Sequence, residues 1–271
     1  MKTHRIQTTV KGFIVGGTML VPGVSGGSMA MILGIYDRLI AAVSAAASGK
    51  KDSLLFLLLF SAGGGLGILL FSKPLLHLIE TYPVPTLYFF LGAVGGSIPM
   101  TLKQAEVKKF SWKVLLYIFL GIAAVSLFSL LPSDLFQPGP ASGAGYLFLL
   151  LLTGFVAAIA LVLPGISVSY LLLLMGLYDK TLLAVSQFHL SFLLPLAAGV
   201  LLGVISTTKT LEKAMKSYPH ATYLVILGFV LGSMAELFPG LPTHPADLLW
   251  ALGMSAAGFT SIHFLARREG I

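Results

Sequence analysis

Six stretches of the chain, at about 53–72, 84–102, 112–132, 190–208, 220–238 and 247–266, are apolar along their whole length. They show neither the helical nor the strand alternation of a half-buried element. Segments of roughly 20 such residues reach across a hydrocarbon layer about 30 Å thick, and a helix apolar on every side belongs in lipid or inside a bundle. The pattern predicts six membrane spans. Two further apolar regions, 12–46 and 146–187, are too long for a single span. Each is interrupted by a Pro-Gly pair, Pro22-Gly23 in the first and Pro164-Gly165 in the second.

These two interruptions are copies of one another. A shift of 142 positions carries Gly12-Phe13 onto Gly154-Phe155, Pro22-Gly23 onto Pro164-Gly165, Ser25 onto Ser167, Gly34 onto Gly176, and Tyr36-Asp37 onto Tyr178-Asp179. After a short deletion the shift becomes 136, and it carries Ala62-Gly63 onto Ala198-Gly199, Gly67 onto Gly203, Tyr82-Pro83 onto Tyr218-Pro219, and Gly96-Ser97 onto Gly232-Ser233. Such ordered matches mark an internal duplication. Residues 1–271 read as one transmembrane domain made of two repeats, about 1–135 and 143–271. Each is a broken apolar unit followed by three spans.

Composition agrees with this reading. The hydrophobic residues make up 56% of the chain and the charged ones only 10%, with a mean hydropathy of +0.94, which excludes a soluble globular domain. The 271 residues include no Cys, so thiol chemistry, disulfides and Cys-ligated metals are excluded too. Lys2, Arg5 and Lys11 ahead of an apolar stretch imitate a secretory signal, but no small-residue cleavage site follows and the segment reads as retained. The net charge of +7 lies in short basic runs between apolar segments, which is a topology signal and not a nucleic-acid face.

The charge map distinguishes two topologies. If each broken unit turns back as a re-entrant hairpin, only Lys73 and Lys180 lie on one side and every other Lys and Arg lies on the opposite side. If each unit crosses once, the basic residues divide nine against eight. The positive-inside rule selects the hairpins, with both termini cytoplasmic. Three true spans per half is an odd number, so the repeats are inverted about an axis in the membrane plane. The expected fold is an all-α polytopic integral membrane protein of two inverted-topology repeats, each a re-entrant helix hairpin plus three transmembrane helices. Residues 12–22 as a helix rise about 16 Å, half the hydrocarbon core, whereas 146–163 would rise about 27 Å, long for a half-span.

Irregular backbone at membrane depth survives only where protein buries it or it lines a polar cavity. Pro22, Gly23, Val24, Ser25, Gly26, Gly27 and Ser28 form one such turn, and Pro164, Gly165, Ile166, Ser167 and Ser169 the other. Helix N-termini with Ser hydroxyls attract anions, so the two turns predict a shared midplane site for phosphate or carboxylate. Tyr36-Asp37-Arg38 and Tyr178-Asp179-Lys180 are expected to end the returning half-helices. A continuous helix from Ser25 to Arg38 rises about 20 Å, setting the two cations at opposite membrane surfaces. There each receives a headgroup, or serves as an interfacial anchor with Asp neutralising the cation and Tyr in the aromatic belt.

Other features carry less chemistry. The pairs Gly63/Gly67, Gly199/Gly203, Gly92/Gly96 and Gly228/Gly232 predict close helix packing. The run from Lys103 to Lys113 attracts anionic lipids. The six His have no metal-site spacing, so no metal and no cofactor are expected. Glu80 and Glu236 are expected near the outer face, and no carboxylate relay is visible at mid-membrane. Gly23-Val24-Ser25-Gly26 fits the G-x-S-G pattern of rhomboid intramembrane proteases, for which His263 could be proposed as the base, although it is expected near the cytoplasmic end of its span and far from the turn. No oxyanion motif accompanies it, and the duplicate Ser167 is followed by Val168.

Val21 to Ser28, continued by Ile32-Leu33-Gly34-Ile35-Tyr36-Asp37-Arg38-Leu39-Ile40, resembles the signature of the PopT family of bacterial membrane proteins. The similarity extends over essentially the whole chain and includes Leu163 to Ser167 and Gly176 to Asp179. The resemblance implies a flippase in the bacterial plasma membrane. It would recycle undecaprenyl phosphate from the outer to the cytoplasmic leaflet, with this lipid and anionic membrane lipids as partners and no nucleic acid. Homo-oligomerisation is left open. An enzyme acting on a polyprenyl phosphate would need a His, Asp or Arg cluster at the turns, and an anion channel would need a continuous aqueous pore. Both stand as alternatives.

Overall fold

The computed structural model describes residues 2–18, 26–46, 49–109, 111–129, 143–166, 168, 171–172, 175–242 and 245–268. The first half contains α1 (Lys2–Thr18), α2 (Gly26–Ile32), α3 (Tyr36–Ala46), α4 (Lys51–Thr81), α5 (Pro83–Gln104) and α6 (Trp112–Ser129). The second contains α7 (Ala144–Val162), α8 (Tyr178–Ser186), α9 (Leu190–Ser217), α10 (Pro219–Leu237) and α11 (Pro245–Arg268). No strand occurs among the described residues. Among them Lys51–Phe71, Pro83–Gln104, Gly145–Val162 and Leu190–Ser217 have the length and hydropathy of a span, and Trp112–Leu127 and Pro219–Ala235 are shorter apolar helices. Large apolar side chains face outward on these helices, among them Leu69 at 74% exposure and Leu201 at 63%, as a lipid-facing surface requires. The chain is an all-helical membrane protein.

Three expected boundaries differ from those observed. The apolar windows at 53–72 and 190–208 are parts of longer helices of 31 and 28 residues, α4 and α9. Hydropathy marks where apolar surroundings end, but Leu, Lys, Glu, Ala and Met continue a helix in water as well as in lipid. The returning helix from Ser25 to Arg38 is not continuous. It stops at Ile32, and Gly34 adopts φ +64°. The Ile35 amide donates to the Ala30 carbonyl at 2.9 Å and the Gly34 amide to the Met31 carbonyl at 3.0 Å. That is a Schellman stop, which needs a residue able to enter the left-handed region. Its copy is Gly176 at φ +61°, where the Leu177 amide donates to Leu172 at 2.9 Å. Tyr36-Asp37-Arg38 and Tyr178-Asp179-Lys180 therefore begin α3 and α8, with each Asp in its helix's first turn, where the helix dipole favours an acid.

Packing is set by helix pairs, α1 on α4, α7 on α9, α5 on α11 and α6 on α10. Glycines allow the approach. A Cβ at Gly63 would overlap the Thr9 carbonyl and one at Gly67 the Phe13 carbonyl; at the shifted positions, Gly199 meets Leu151 and Gly203 meets Phe155. Along α1 and α4 both numbers rise together, so these helices run parallel, and so do α7 and α9. Gly92 and Gly96 lie on Ser255 and Phe259, and Gly228 and Gly232 on Ile118 and Ile122, so the other two pairs are parallel as well. The corners recur too. Thr86 Oγ1 donates to the Leu78 carbonyl at 3.2 Å, and Thr222 Oγ1 to the Ala214 carbonyl at 3.1 Å. The core lies where α2 and α3 meet α5 and α10, around fully buried Met31, Tyr36, Leu224 and Val230.

Candidate functional site

The two broken units meet inside the molecule. Gly27 opens α2 against the end of α7, where a Cβ would stand 3.2 Å from both Cα and N of Pro164. The buried Tyr36 hydroxyl donates to the Val162 carbonyl at 2.8 Å, tying the start of α3 to the same place. Gly165, at φ +83°, lies against the Phe229 carbonyl of α10, where any side chain would collide. Gly27, Ser28, Pro164, Gly165 and Ile166 are all buried and Gly26 is half-buried. Pro22, Gly23, Val24, Ser25, Ser167 and Ser169 lie outside the described residues.

Arg38 and Lys180 each line a cavity. The Arg38 cavity, about 560 Å³, is bounded by Arg5 and Thr8 of α1 and by Asp52, Leu55 and Phe56 of α4. The Lys180 cavity, about 540 Å³, is bounded by Tyr146 and Leu147 of α7 and by Ser191 and Phe192 of α9. The repeat shifts carry Arg5 onto Leu147, Arg38 onto Lys180, Leu55 onto Ser191 and Phe56 onto Phe192, so the cavities are copies as well. The Arg38 guanidinium lies 4.6 Å from the centre of the Phe56 ring, a cation–π contact that holds it over an apolar wall. A cation beside aromatic and aliphatic side chains suits an anion attached to a hydrocarbon tail.

Asp37 does not neutralise Arg38. Tyr223 of α10 donates to its Oδ2 at 2.7 Å and the Gln104 amide of α5 donates to the same oxygen at 3.2 Å. Burial pushes this carboxyl above the ordinary carboxylate range, and the Tyr223 hydrogen bond works in the opposite direction. Tyr178 is half-buried, while Asp179 and Lys180 are exposed.

A model of the family described as VCA0040-like, undecaprenyl phosphate translocase-like, matches residues 15–246. The chain belongs to this family. A polyprenyl-phosphate transporter of Vibrio cholerae serotype O1 is 32% identical over 264 residues, covering 92% of this chain and 82% of that one. A polyprenyl-phosphate transporter of Staphylococcus aureus is 34% identical over 269 residues, covering 96% of this chain and 95% of that one. No solved structure matches the chain significantly.

Several residues of this translocase-like chain were not singled out by sequence reasoning. Phe56 and Phe192 fall on one another at the 136 shift, and that match could have revealed them beside the duplicated cations. Gln104 and Tyr223 had no such signal, since their equivalents are Gly240 and Leu87. A third cavity, about 480 Å³, gathers Lys50, Lys209, Lys213 and Lys216 around Glu212, a basic surface suited to anionic headgroups. His263 stacks on Phe259 at 5.8 Å between centroids, and Ser25, the only nucleophile offered for it, lies outside the described residues. Among the described residues no group of His, Asp or Glu is placed to hold a metal ion.

Proposed function

We propose that this protein is a flippase that returns undecaprenyl phosphate from the outer to the cytoplasmic leaflet of the bacterial plasma membrane. The observation that carries the proposal is the pair of cation-lined cavities at repeat-equivalent positions, Arg38 with Phe56 and Lys180 with Phe192, in a molecule whose two broken units meet at Gly27 and Pro164. The family and the polyprenyl-phosphate transporters similar to this chain supply the substrate class. The phosphate is received by one cation, passes the turns formed by residues 22–28 and 164–169, and is handed to the other cation. Its polyprenyl tail stays in lipid throughout. Ser hydroxyls and backbone amides of these two segments are the groups that would bond the headgroup as it passes.

Inverted repeats give this path two ends. α1 and α4 run parallel in contact, so the chain between them has to come back to the side where α1 began. The same holds for α7 and α9. Re-entrant units at 12–46 and 146–187 satisfy both pairs, while units that cross once would make them antiparallel. Three spans then follow each unit, which inverts the second half. The lopsided distribution of basic residues supports cytoplasmic termini in this reading.

The experiment is lipid movement in liposomes. Undecaprenyl phosphate in the inner leaflet is expected to become accessible to an added water-soluble phosphatase only in protein-containing vesicles. Mass spectrometry of lipid recovered before that addition should show it chemically intact. Protection equal to that in protein-free vesicles sinks the proposal, and phosphate released without added phosphatase would make the protein an enzyme.

A further inference from the structure

Asp37 and Gln104 leave two acceptors over. Both donors that reach the Asp37 carboxyl, the Tyr223 hydroxyl and the Gln104 amide, are directed at Oδ2. Asp37 Oδ1 and Gln104 Oε1 are buried and neither has a hydrogen-bond partner. An ionised carboxylate and an amide carbonyl both accept and neither donates, so two buried acceptors would stand unpaired on side chains already joined through Nε2 and Oδ2. Turning the amide over offers its NH2 to Oδ1 but sets its carbonyl against Oδ2 at 3.2 Å, so an acceptor still faces an acceptor. One proton on Oδ1 resolves both positions. The carboxyl and the amide then close a ring, with Nε2–H bonded to Oδ2 and Oδ1–H bonded to Oε1.

We propose that Asp37 is a proton-binding site whose proton is shared with Gln104 in a cyclic acid–amide pair, fastening α3 to α5 and α10. Release breaks the Oδ1–H bond, passes the proton to water and leaves a carboxylate that no longer bonds Oε1, so the ring opens on that side while the Tyr223 and Gln104 donors stay on Oδ2. Several charged or titratable groups of the surrounding elements have contacts of their own. Arg38 lies over Phe56 of α4 in the cavity that also holds Asp52. Lys11 of α1 donates to the Leu33 carbonyl at 2.8 Å, and Glu212 of α9 is paired with Lys216. His220 of α10 meets the Ala105 carbonyl through Nδ1 at 2.8 Å, and Tyr36 donates to Val162. The second half has no equivalent, because Asp179 is exposed and Gly240 and Leu87 stand where Gln104 and Tyr223 would be. A proton is therefore bound by one repeat alone. Its link to transport rests on the function proposed above, while the site itself rests on the geometry of α3, α5 and α10.

Infrared spectroscopy of the purified full-length protein tests the site without lipid movement. A protonated carboxyl band is expected at neutral pH, titrating away toward alkaline pH and absent from Asp37→Asn. The Asn amide can still donate to Oε1 and accept from Tyr223, so this variant keeps the fastening. Tyr223→Phe removes the bond that favours the charged form, and it is expected to hold the proton about tenfold more tightly, moving the band's midpoint upward. A neutral-pH band that survives in Asp37→Asn, no such band in the parent, or an unmoved midpoint in Tyr223→Phe overturns the proposal. In liposomes, movement of undecaprenyl phosphate by the parent should fall about tenfold per pH unit above the midpoint, while Asp37→Asn loses that dependence. If the band titrates as expected and no lipid moves, the proton site stands and the transport reading fails. If lipid moves and the band is missing, the reverse holds.

Discussion

Arg38 and Lys180 are cations at repeat-equivalent positions, each lining a cavity that also holds the equivalent phenylalanine, Phe56 or Phe192. An ammonium or guanidinium can compete with water for a phosphate because its hydrogen bonds to that anion are charge-assisted. Loss of one such bond costs about 1.5–3 kcal/mol, so Arg38→Ala and Lys180→Ala should each slow headgroup movement roughly tenfold to a hundredfold. Leaflet accessibility of the phosphate measures it, and full speed in either variant would remove that cation from the path. Arg38 and Lys180 were legible because duplication marks them: two cations matched within two copies of a Tyr-Asp-basic trio. The direction of Asp37 was not. Its neighbour in sequence is a cation, and a local rule pairs the two, but folding brings Tyr223 and Gln104 from helices far along the chain. A contact between residues 186 positions apart, with no repeat-equivalent to flag it, leaves no trace in a single sequence.

Helix α4 shows how position within an element decides what a glycine is for. Gly63 lies under the Thr9 carbonyl of α1, whereas Gly65, two residues on, has nothing within 4 Å of its Cβ position. Gly63→Ala must push α1 and α4 apart and should destabilise the protein by about 1–3 kcal/mol. Gly65→Ala adds a better helix former to an open face and should be neutral or stabilising by up to about 1 kcal/mol. Thermal unfolding in detergent compares them, and equal effects would mean that close packing on α1 is not what Gly63 supplies. The pairing itself was legible, since small residues four apart recur in both halves, and so were the helices, because apolar length alone requires them. The stop at Gly34 was harder to read. A lone glycine in an apolar stretch is compatible with a continuous helix, and only the hydrogen bonds to Ala30 and Met31 show that it ends one. The helix ends at Thr81 and Ser217 were hidden for a related reason, as hydropathy reports the surroundings and not the backbone.

At the scale of the whole molecule, the proposed inversion makes a prediction about sides. Because the chain has no Cys, single introduced thiols report their own exposure: Leu241→Cys should react with an impermeant reagent added outside cells, and Glu106→Cys should not. Reaction of Glu106→Cys from outside would refute the inverted arrangement. Inversion also bears on movement, since two halves with one plan can exchange conformations. They are not alike in this structure. α3 packs on both α4 and α9, while its copy α8 packs on α9 and makes no comparable contact with α4 among the described residues. α3 is thus packed more extensively than α8, and under the transport proposed above this asymmetry is what one end state of an alternating cycle would show. Exchange then requires α3 to leave α9. Ser44 of α3 and Glu212 of α9 line one cavity across that contact, which makes a Ser44→Cys, Glu212→Cys pair the one to test for a cross-link between the two helices. With the disulfide formed, phosphate movement should stop, and reduction should restore it, whereas each single Cys variant should keep moving lipid under the same oxidant. Continued transport by the fully cross-linked protein would mean that α3 and α9 stay together throughout the cycle, leaving the opening to be made by some other contact between the halves.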